Sequence, residues 1–254
     1  MFRDSPLRRR LDQGGRALGC WLHMASPIAA EIVALAGYDF VLIDHEHGAG
    51  NLLGAVSQIQ AVSATPAATV MRVPWNDPVY IKRALDTGIE GVMIPAIEDA
   101  EAARAAVAAC RYPPAGIRGV AYSVTRAADY GLRAAEYGAK ANDNLVVMCQ
   151  IESPRAVDNI AEIAAVEGVD VLFIGPFDLS AAIGKAGRFD DTEVAAMLER
   201  AEARALESGV VLGGIPKAGD DVAAMHERGY RLVVGGSDVT HLRDAARADV
   251  AAHG

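Results

Sequence analysis

The chain alternates short apolar runs with longer stretches in which apolar residues recur every three or four positions. The short runs are Leu18–His23, Phe40–Glu46, Ala68–Val73, Gly91–Ala96, Val146–Glu152, Val169–Gly175, Val210–Ile215 and Tyr230–Gly235. Each is rich in branched residues and bounded by turn or capping residues, which predicts buried strands. The spacing between them predicts helices. Ile81 and Leu85 stand at i, i+4, and Val157, Ile160 and Ala164 mark one face of a helix after Ser153. Three helix starts share a signature: Ser26-Pro27, Asp77-Pro78 and Ser153-Pro154. The side-chain oxygen accepts an orphan backbone N–H, and the proline occupies the first helical position, where no donor is missed. Gly37 and Gly88 follow last apolar turns, where a left-handed residue ends a helix.

Eight strand–helix pairs predict parallel strands joined by helical crossovers. Eight units in 254 residues favour a closed (β/α)8 barrel, an α/β fold, as one domain over residues 1–254. No GxGxxG follows the first strand, which weakens an open dinucleotide-binding sheet. The longest irregular stretch, residues 111–144, contains Pro113-Pro114 and a polar helix-like segment. It exceeds what a connector needs, so a functional loop is expected there.

Composition adds little to the fold but narrows function. Apolar residues make up 52% of the chain and aromatics only 6%, so small and branched aliphatics do the packing. The net charge of −9 argues against nucleic acid, whose phosphates need a basic surface, but leaves room for an acidic small molecule met by a local cation. Cys20 and Cys149 fall in apolar strands, and with Cys110 they form no CxxC, as expected of reduced thiols in a cytoplasmic protein. The basic N-terminus has no apolar stretch behind it, and no run approaches the roughly 18 apolar residues of a membrane span.

Polar residues collect where the strands end, the face at which such barrels do chemistry. Strand one ends in Trp21-Leu22-His23, and strand two in Asp44-His45-Glu46-His47. Arg72 closes strand three, Gln150-Ile151-Glu152 strand five, and Phe177-Asp178 follows strand six. Lys217 follows strand seven, and Ser237-Asp238 ends strand eight. Each has an ordinary structural reading: Asp178 as a helix cap, Glu152 paired with Arg155, Arg72 as a buried ion-pair partner, His23 as a satisfied polar residue. Placing all of them at one end of apolar strands costs desolvation energy that packing alone does not return. Glu152 and Asp178 end neighbouring strands, and two close carboxylates repel unless a cation or proton intervenes. Such hard oxygen ligands suit Mg²⁺ or Mn²⁺. Gln150 and Glu152 share one face of their strand, and Asp44 and Glu46 share one face of theirs. Alternation does not say which of His45 and His47 reaches the centre. The glycine pairs Gly213-Gly214 and Gly235-Gly236 are read as tight backbone packing rather than a phosphate site.

Six segments together resemble the HpcH/HpaI class II pyruvate aldolases, the 4-hydroxy-2-oxoheptanedioate aldolase family. They begin with Ile43-Asp44-His45-Glu46-His47-Gly48, Arg72-Val73-Pro74-Trp75-Asn76-Asp77-Pro78 and Gly91-Val92-Met93-Ile94-Pro95. Arg111-Tyr112-Pro113-Pro114-Ala115-Gly116-Ile117-Arg118-Gly119, Gln150-Ile151-Glu152 and the stretch from Val169 to Ser180 complete the set. The resemblance implies that Glu152 and Asp178 hold a divalent metal (Mg²⁺, Mn²⁺ or Co²⁺). It implies that Arg72 steadies the enolate at the 2-oxo oxygen, and that His47, held by Asp44, is the acid or base. Glu46 is then a carboxylate beside the metal's water. Gln150, Trp21 and the backbone N–H groups of Phe177 and Asp178 contact the substrate. The family further implies a homohexamer, a trimer of dimers, acting on a 2-oxo acid and an aldehyde. His45 and Phe177 depart from the family's usual small residues, and both bear on substrate choice.

The expected reaction is reversible aldol addition and cleavage between pyruvate or hydroxypyruvate and an aldehyde. A Schiff-base aldolase would need Lys217 instead, and an amidohydrolase would need more histidines at strand ends than this chain has. A CoA-thioester lyase or a phosphoenolpyruvate-using relative is the alternative on the same barrel.

Overall fold

A computed structural model of the chain describes residues 2–217 and 220–253. Its strands are β1 (Ala17–Leu22), β2 (Phe40–Asp44), β3 (Ala68–Arg72), β4 (Gly91–Ile94), β5 (Val146–Ile151), β6 (Val171–Ile174), β7 (Val211–Gly214) and β8 (Leu232–Ser237). They pair in parallel in sequence order, and β8 pairs with β1, closing the barrel. Helices α1 (Pro6–Asp12), α2 (Pro27–Leu35), α3 (Leu52–Val62), α4 (Pro78–Asp86), α5 (Ala100–Cys110) and α6 (Ala134–Asn144) alternate with the first five strands. After β5 come α7 (Pro154–Asp158), α8 (Ile160–Ala164), α9 (Pro176–Ala182), α10 (Thr192–Ser208), α11 (Val222–Glu227) and α12 (Asp238–His253). No helix among the described residues is long and apolar enough to cross a membrane.

Alternation along the strands sorts side chains into two layers. Phe40 and Leu42, Ala68 and Val70, Val146 and Met148, and Val171 and Phe173 form one buried cluster inside the barrel. Val41, Ile43, Met71, Val147 and Leu172 point outward into a second cluster shared with the helices. Fully burying one such side chain contributes about 1.5–3 kcal/mol. The inner parity continues to the strand ends, so it delivers Asp44, Arg72 and Gln150 into the mouth of the barrel. Gly19 makes room for this interior: a Cβ there would lie 2.2 Å from the Phe40 ring.

The capped starts form as the sequence predicts. Ser26 accepts from Ala29 N–H, Asp77 from Val79 and Tyr80, and Ser153 from Ala156. Gly37 and Gly88 take positive φ, 103° and 88°. The expected single helix after Ser153 is instead two, because Asn159 adopts φ −98°, ψ 8° between α7 and α8. Val157 and Ile160 are nevertheless both buried, so the apolar spacing marked the right face across a break it could not reveal.

Two segments take positions that periodicity did not indicate. The basic N-terminus becomes α1, capped by Ser5, and its Leu7 and Leu11 join the inner cluster and close the N-terminal end of the barrel. Arg8 ties it down through Asp170, at 2.7 and 2.8 Å. The long stretch at 111–144 also packs at the N-terminal end, where Tyr112, Ala127 and Tyr137 cluster with Phe2. It is thus far from the mouth where the polar residues gather. Beyond Thr240, α12 is exposed along its length, and Ile28, Ile32 and Leu35 of α2 lie open to solvent.

Candidate active site

The mouth of the barrel holds a pocket of about 540 Å³, lined by Trp21, His23, His47, Arg72, Gln150, Phe177 and Asp178 among others. Arg72 is its anchor. The Asp44 carboxylate, fully buried, takes a forked pair of bonds from Arg72 Nε and Nη2 at 2.8 and 2.6 Å. Arg72 Nη1 lies 2.9 Å from Glu46 Oε2, close enough for an ion pair but not aligned as a hydrogen bond. A guanidinium has five N–H donors. With two given to Asp44 and one turned towards Glu46, two remain for the pocket. The Trp21 ring lies 4.4 Å from the guanidinium carbon and fixes its plane by cation–π contact. Trp21 therefore orients Arg72 as well as lining the pocket wall.

Burial pushes the Asp44 carboxyl up. Hydrogen bonds from His23 and Arg72, with the Arg72 charge, outweigh that and hold it well below the usual carboxylate range. Asp44 also accepts the backbone N–H of Glu46 at 3.0 Å and of His47 at 3.4 Å, and so shapes the turn that carries both. The His47 imidazole itself is 66% exposed, with Nε2 3.9 Å from Glu46. The imidazole that reaches Asp44 is that of His23, whose Nε2 lies 3.2 Å from Oδ2. His23 stacks on Trp21, and its backbone N–H donates to Asp238 at 3.0 Å. Sequence reasoning named His23 and Asp238 as strand-end residues without a role. Their partnership joins three strands and has no local signal.

His45 leaves the mouth altogether. It is buried, with Nδ1 2.8 Å from the Tyr80 hydroxyl on α4, and burial lowers its pKa. Lys217 lines a neighbouring crevice with Glu202 and Asp220, not the pocket. The first glycine pair is explained by packing: a Cβ at Gly213 would meet Val171 at 2.9 Å, and one at Gly214 the Tyr230 ring at 2.7 Å; Gly235 and Gly236 instead line the pocket.

Glu152 and Asp178 follow the neighbouring strands β5 and β6, near enough for the Asp178 charge to act on Glu152. Glu152 Oε1 accepts the Ala96 N–H at 2.7 Å, and Ala96 takes a left-handed φ of 54° to present it. Its other oxygen and the Asp178 carboxylate accept no hydrogen bond among the described residues. Burial, then the neighbouring charges of Asp178 and Glu46, push Glu152 up to about 7, against the Ala96 hydrogen bond. Two crowded carboxylates with free oxygens are what a divalent cation relieves. No group of three or more His, Cys, Asp or Glu placed to hold a metal occurs among the described residues, so water and a chelating substrate would supply the remaining ligands. Gln150 lines the pocket, and its buried Oε1 has no hydrogen-bond partner among the described residues. Asp178 stands in the first turn of α9, which has no side-chain cap, so the Phe177 and Asp178 N–H groups are open to an anion.

Gly175 decides whether this cluster fits. A Cβ there would sit 3.2 Å from Gln150 Nε2, 3.3 Å from Glu152 Cβ and 3.5 Å from Glu152 Oε2. Gly175→Ala is expected to displace Glu152 by a few tenths of an ångström and cut kcat/KM by about tenfold or more while the melting temperature moves little. Unchanged turnover in that variant would show that the position of Glu152 is not critical.

The family described as HpcH/HpaI aldolase/citrate lyase matches residues 17–245. This chain belongs to that family. It is 42% identical over 252 residues to a 4-hydroxy-2-oxo-heptane-1,7-dioate aldolase of Escherichia coli, covering 99% of this chain and 95% of that protein. An HpcH/HpaI aldolase/citrate lyase family protein of Burkholderia cenocepacia J2315 superposes with TM-score 0.90 at 39% identity, covering 97% of this chain and 98% of that one. The HpcH/HpaI aldolase of Desulfitobacterium hafniense DCB-2 does so with TM-score 0.87 at 32% identity, over 99% and 96% of the two chains. The family member described here is accordingly a carbon–carbon lyase of the aldehyde-lyase group.

Proposed function

We propose that this aldolase is metal-assisted and cleaves 4-hydroxy-2-oxo acids to pyruvate or hydroxypyruvate and an aldehyde, and runs the addition in reverse. The observation that carries the reading is the crowded pair Glu152 and Asp178 beside Arg72, with two guanidinium N–H groups left over. The E. coli relative's name supports the substrate class. Glu152 and Asp178 would hold Mg²⁺, Mn²⁺ or Co²⁺. Such an ion, when bound, supplies Lewis acidity at the substrate's ketone oxygen.

The chain's own groups do the rest. The Phe177 and Asp178 N–H groups take the substrate carboxylate, and Gln150 contacts its polar end. Arg72 donates to the oxygen on which enolate charge develops, a fixed dipole already oriented by Asp44 and Trp21. In the synthetic direction His47 takes a proton from C3, and the enolate carbon bonds to the aldehyde carbon while the new alkoxide is protonated. Cleavage returns each proton by the same route. Glu46, raised by burial despite Arg72, sits beside His47 to share that proton. Phe177, packed edge-to-face on Phe189, gives the aldehyde side an apolar wall.

We place the enzyme in the cytoplasm, where its three buried, unpaired cysteines stay reduced. The open apolar residues of α2 and the exposed α12 support assembly into a homo-oligomer, a hexamer in our reading. The CoA-thioester alternative comes second: the family description includes citrate lyase and Gly235-Gly236 line the pocket, but the 42% identical relative is named an aldolase.

The test is proton exchange. With metal present, the enzyme is expected to exchange the methyl protons of pyruvate in D₂O and to cleave 4-hydroxy-2-oxo acids. Chelation should stop both, and Mg²⁺, Mn²⁺ or Co²⁺ should restore both. Full activity after chelation, or no exchange with metal present, would sink the proposal.

A further inference from the structure

The pocket at the mouth has two unlike sides. Arg72, Gln150 and Asp178 line it from β3 to the end of β6, the side that the 2-oxo acid occupies in the reading above. In the closed barrel β7, β8 and β1 follow, so the acceptor aldehyde meets the wall that they form. That wall is Trp21 on β1, Val234 and Gly236 on β8, Ile215 and Pro216 after β7, and Phe177 at its border with β6. The Phe177 ring packs edge-to-face on Phe189, with centroids 4.9 Å apart. Fully buried Ser180 ties the two segments together. Its Oγ donates to the Phe177 carbonyl at 2.7 Å and accepts the Gly187 N–H at 2.9 Å, and its carbonyl accepts the Lys185 N–H at 2.9 Å.

This wall offers no spare cation. Among the described residues Arg72 is the one lysine or arginine lining the pocket, and its N–H groups serve Asp44, Glu46 and the 2-oxo oxygen. Lys217 lines the neighbouring crevice. Each imidazole at the pocket has a carboxylate beside it: His23 Nε2 lies 3.2 Å from Asp44, and His47 Nε2 3.9 Å from Glu46. The first turn of α12, which also borders the pocket, uses its donors on itself. The Ser237 N–H goes to Thr240 Oγ1 at 3.1 Å, the Thr240 N–H to Ser237 Oγ at 3.0 Å and the Val239 N–H to Asp238 at 2.8 Å. A carboxylate taken into such surroundings loses its water and gains no counter-ion.

We infer that the acceptor half of the substrate is uncharged. The enzyme takes aldehydes with an apolar body, and cleaves 4-hydroxy-2-oxo acids whose only carboxylate is at C1. This rests on the aldolase reading above and narrows it. The pocket of about 540 Å³ has room for both halves. The E. coli relative is named for a 1,7-dioate, a compound with a second carboxylate at the far end of its chain. Here that end would meet Phe177, Ile215 and Val234 rather than a cation.

The test compares two cleavage substrates, 4-hydroxy-2-oxoheptanoate and 4-hydroxy-2-oxoheptane-1,7-dioate, with the full-length enzyme and the divalent metal that restores most activity. The two share a carbon skeleton and differ only at C7, a methyl group in one and a carboxylate in the other. The monoacid is expected to have the higher kcat/KM, by about tenfold or more. Phe177→Arg, at a side chain exposed enough to accept a guanidinium, should narrow or reverse that preference. Phe189→Ala removes the ring that steadies Phe177 and should raise KM for the monoacid severalfold. Equal or better cleavage of the dioate, or a preference that Phe177→Arg leaves unmoved, would overturn the inference. Pyruvate methyl-proton exchange in D₂O would then still support the aldolase reading, because no acceptor takes part in it. Loss of that exchange would remove the reading and this inference with it.

Discussion

Glu152→Gln is expected to lower aldol cleavage on the order of 10³-fold or more and to remove divalent-metal binding with it, since electrophilic assistance is worth several kcal/mol. The substitution keeps the side chain's size and its hydrogen bond from Ala96, so the loss isolates the charge. The same carboxylate sets a pH dependence. In the metal-free enzyme burial and nearby charges place Glu152 at about 7 rather than 4.5, so at pH 6 it carries a proton that a metal must displace. Metal affinity should fall about tenfold per unit below pH 7, with nearly one proton released per ion bound at pH 6. Calorimetry in buffers of different ionisation enthalpy reads that proton directly. Stability follows the opposite sense: between 4.5 and 7 the folded form holds a proton that the unfolded chain has lost. The metal-free fold therefore loses stability as pH rises through that window. Glu152→Gln should flatten this slope while being inactive. A variant that stays active would remove Glu152 from the metal site, and a slope unchanged by the substitution would show that burial does not raise its carboxyl.

Arg72→Ala should affect both activity and the fold. Asp44 has no exposed side-chain surface, and without Arg72 its charge loses its forked partner, a change that costs about 3–5 kcal/mol when a buried pair is broken. Thermal denaturation should show the loss directly. Arg72→Lys separates the two effects, because an ammonium restores charge but not the fork. It should recover much of the stability while kcat/KM stays about 10²–10³-fold down, the usual cost of a missing oxyanion donor. A lysine variant with near-normal turnover would mean that Arg72 is only a structural partner of Asp44.

Local physics explains why much of the site was readable in advance. Asp44, Arg72 and Gln150 lie two residues beyond Leu42, Val70 and Met148, so period-two alternation alone carries them into the barrel mouth. Ser26, Asp77 and Ser153 bond to N–H groups two or three residues away, and such contacts are written in sequence. His23, by contrast, meets Asp44 across 21 positions and Asp238 across 215. Nothing near His23 announces either partner. His45 and His47 share a parity, and only the path of the chain after β2 sends one to Tyr80 and leaves the other at the pocket wall.

The amino-acid order alone determined the eight strands, their helical crossovers and the end of the barrel that would hold polar groups, because periodicity, capping and desolvation act over a few residues. Tertiary structure decided the rest. It sent the 111–144 stretch to the far end, turned α1 into a plug, gave the Asp44 carboxylate to Arg72 and His23, and made Gly175 the space in which Glu152 fits. Those outcomes depend on which distant side chains compete for the same small volume, a quantity that exists only once the barrel has closed.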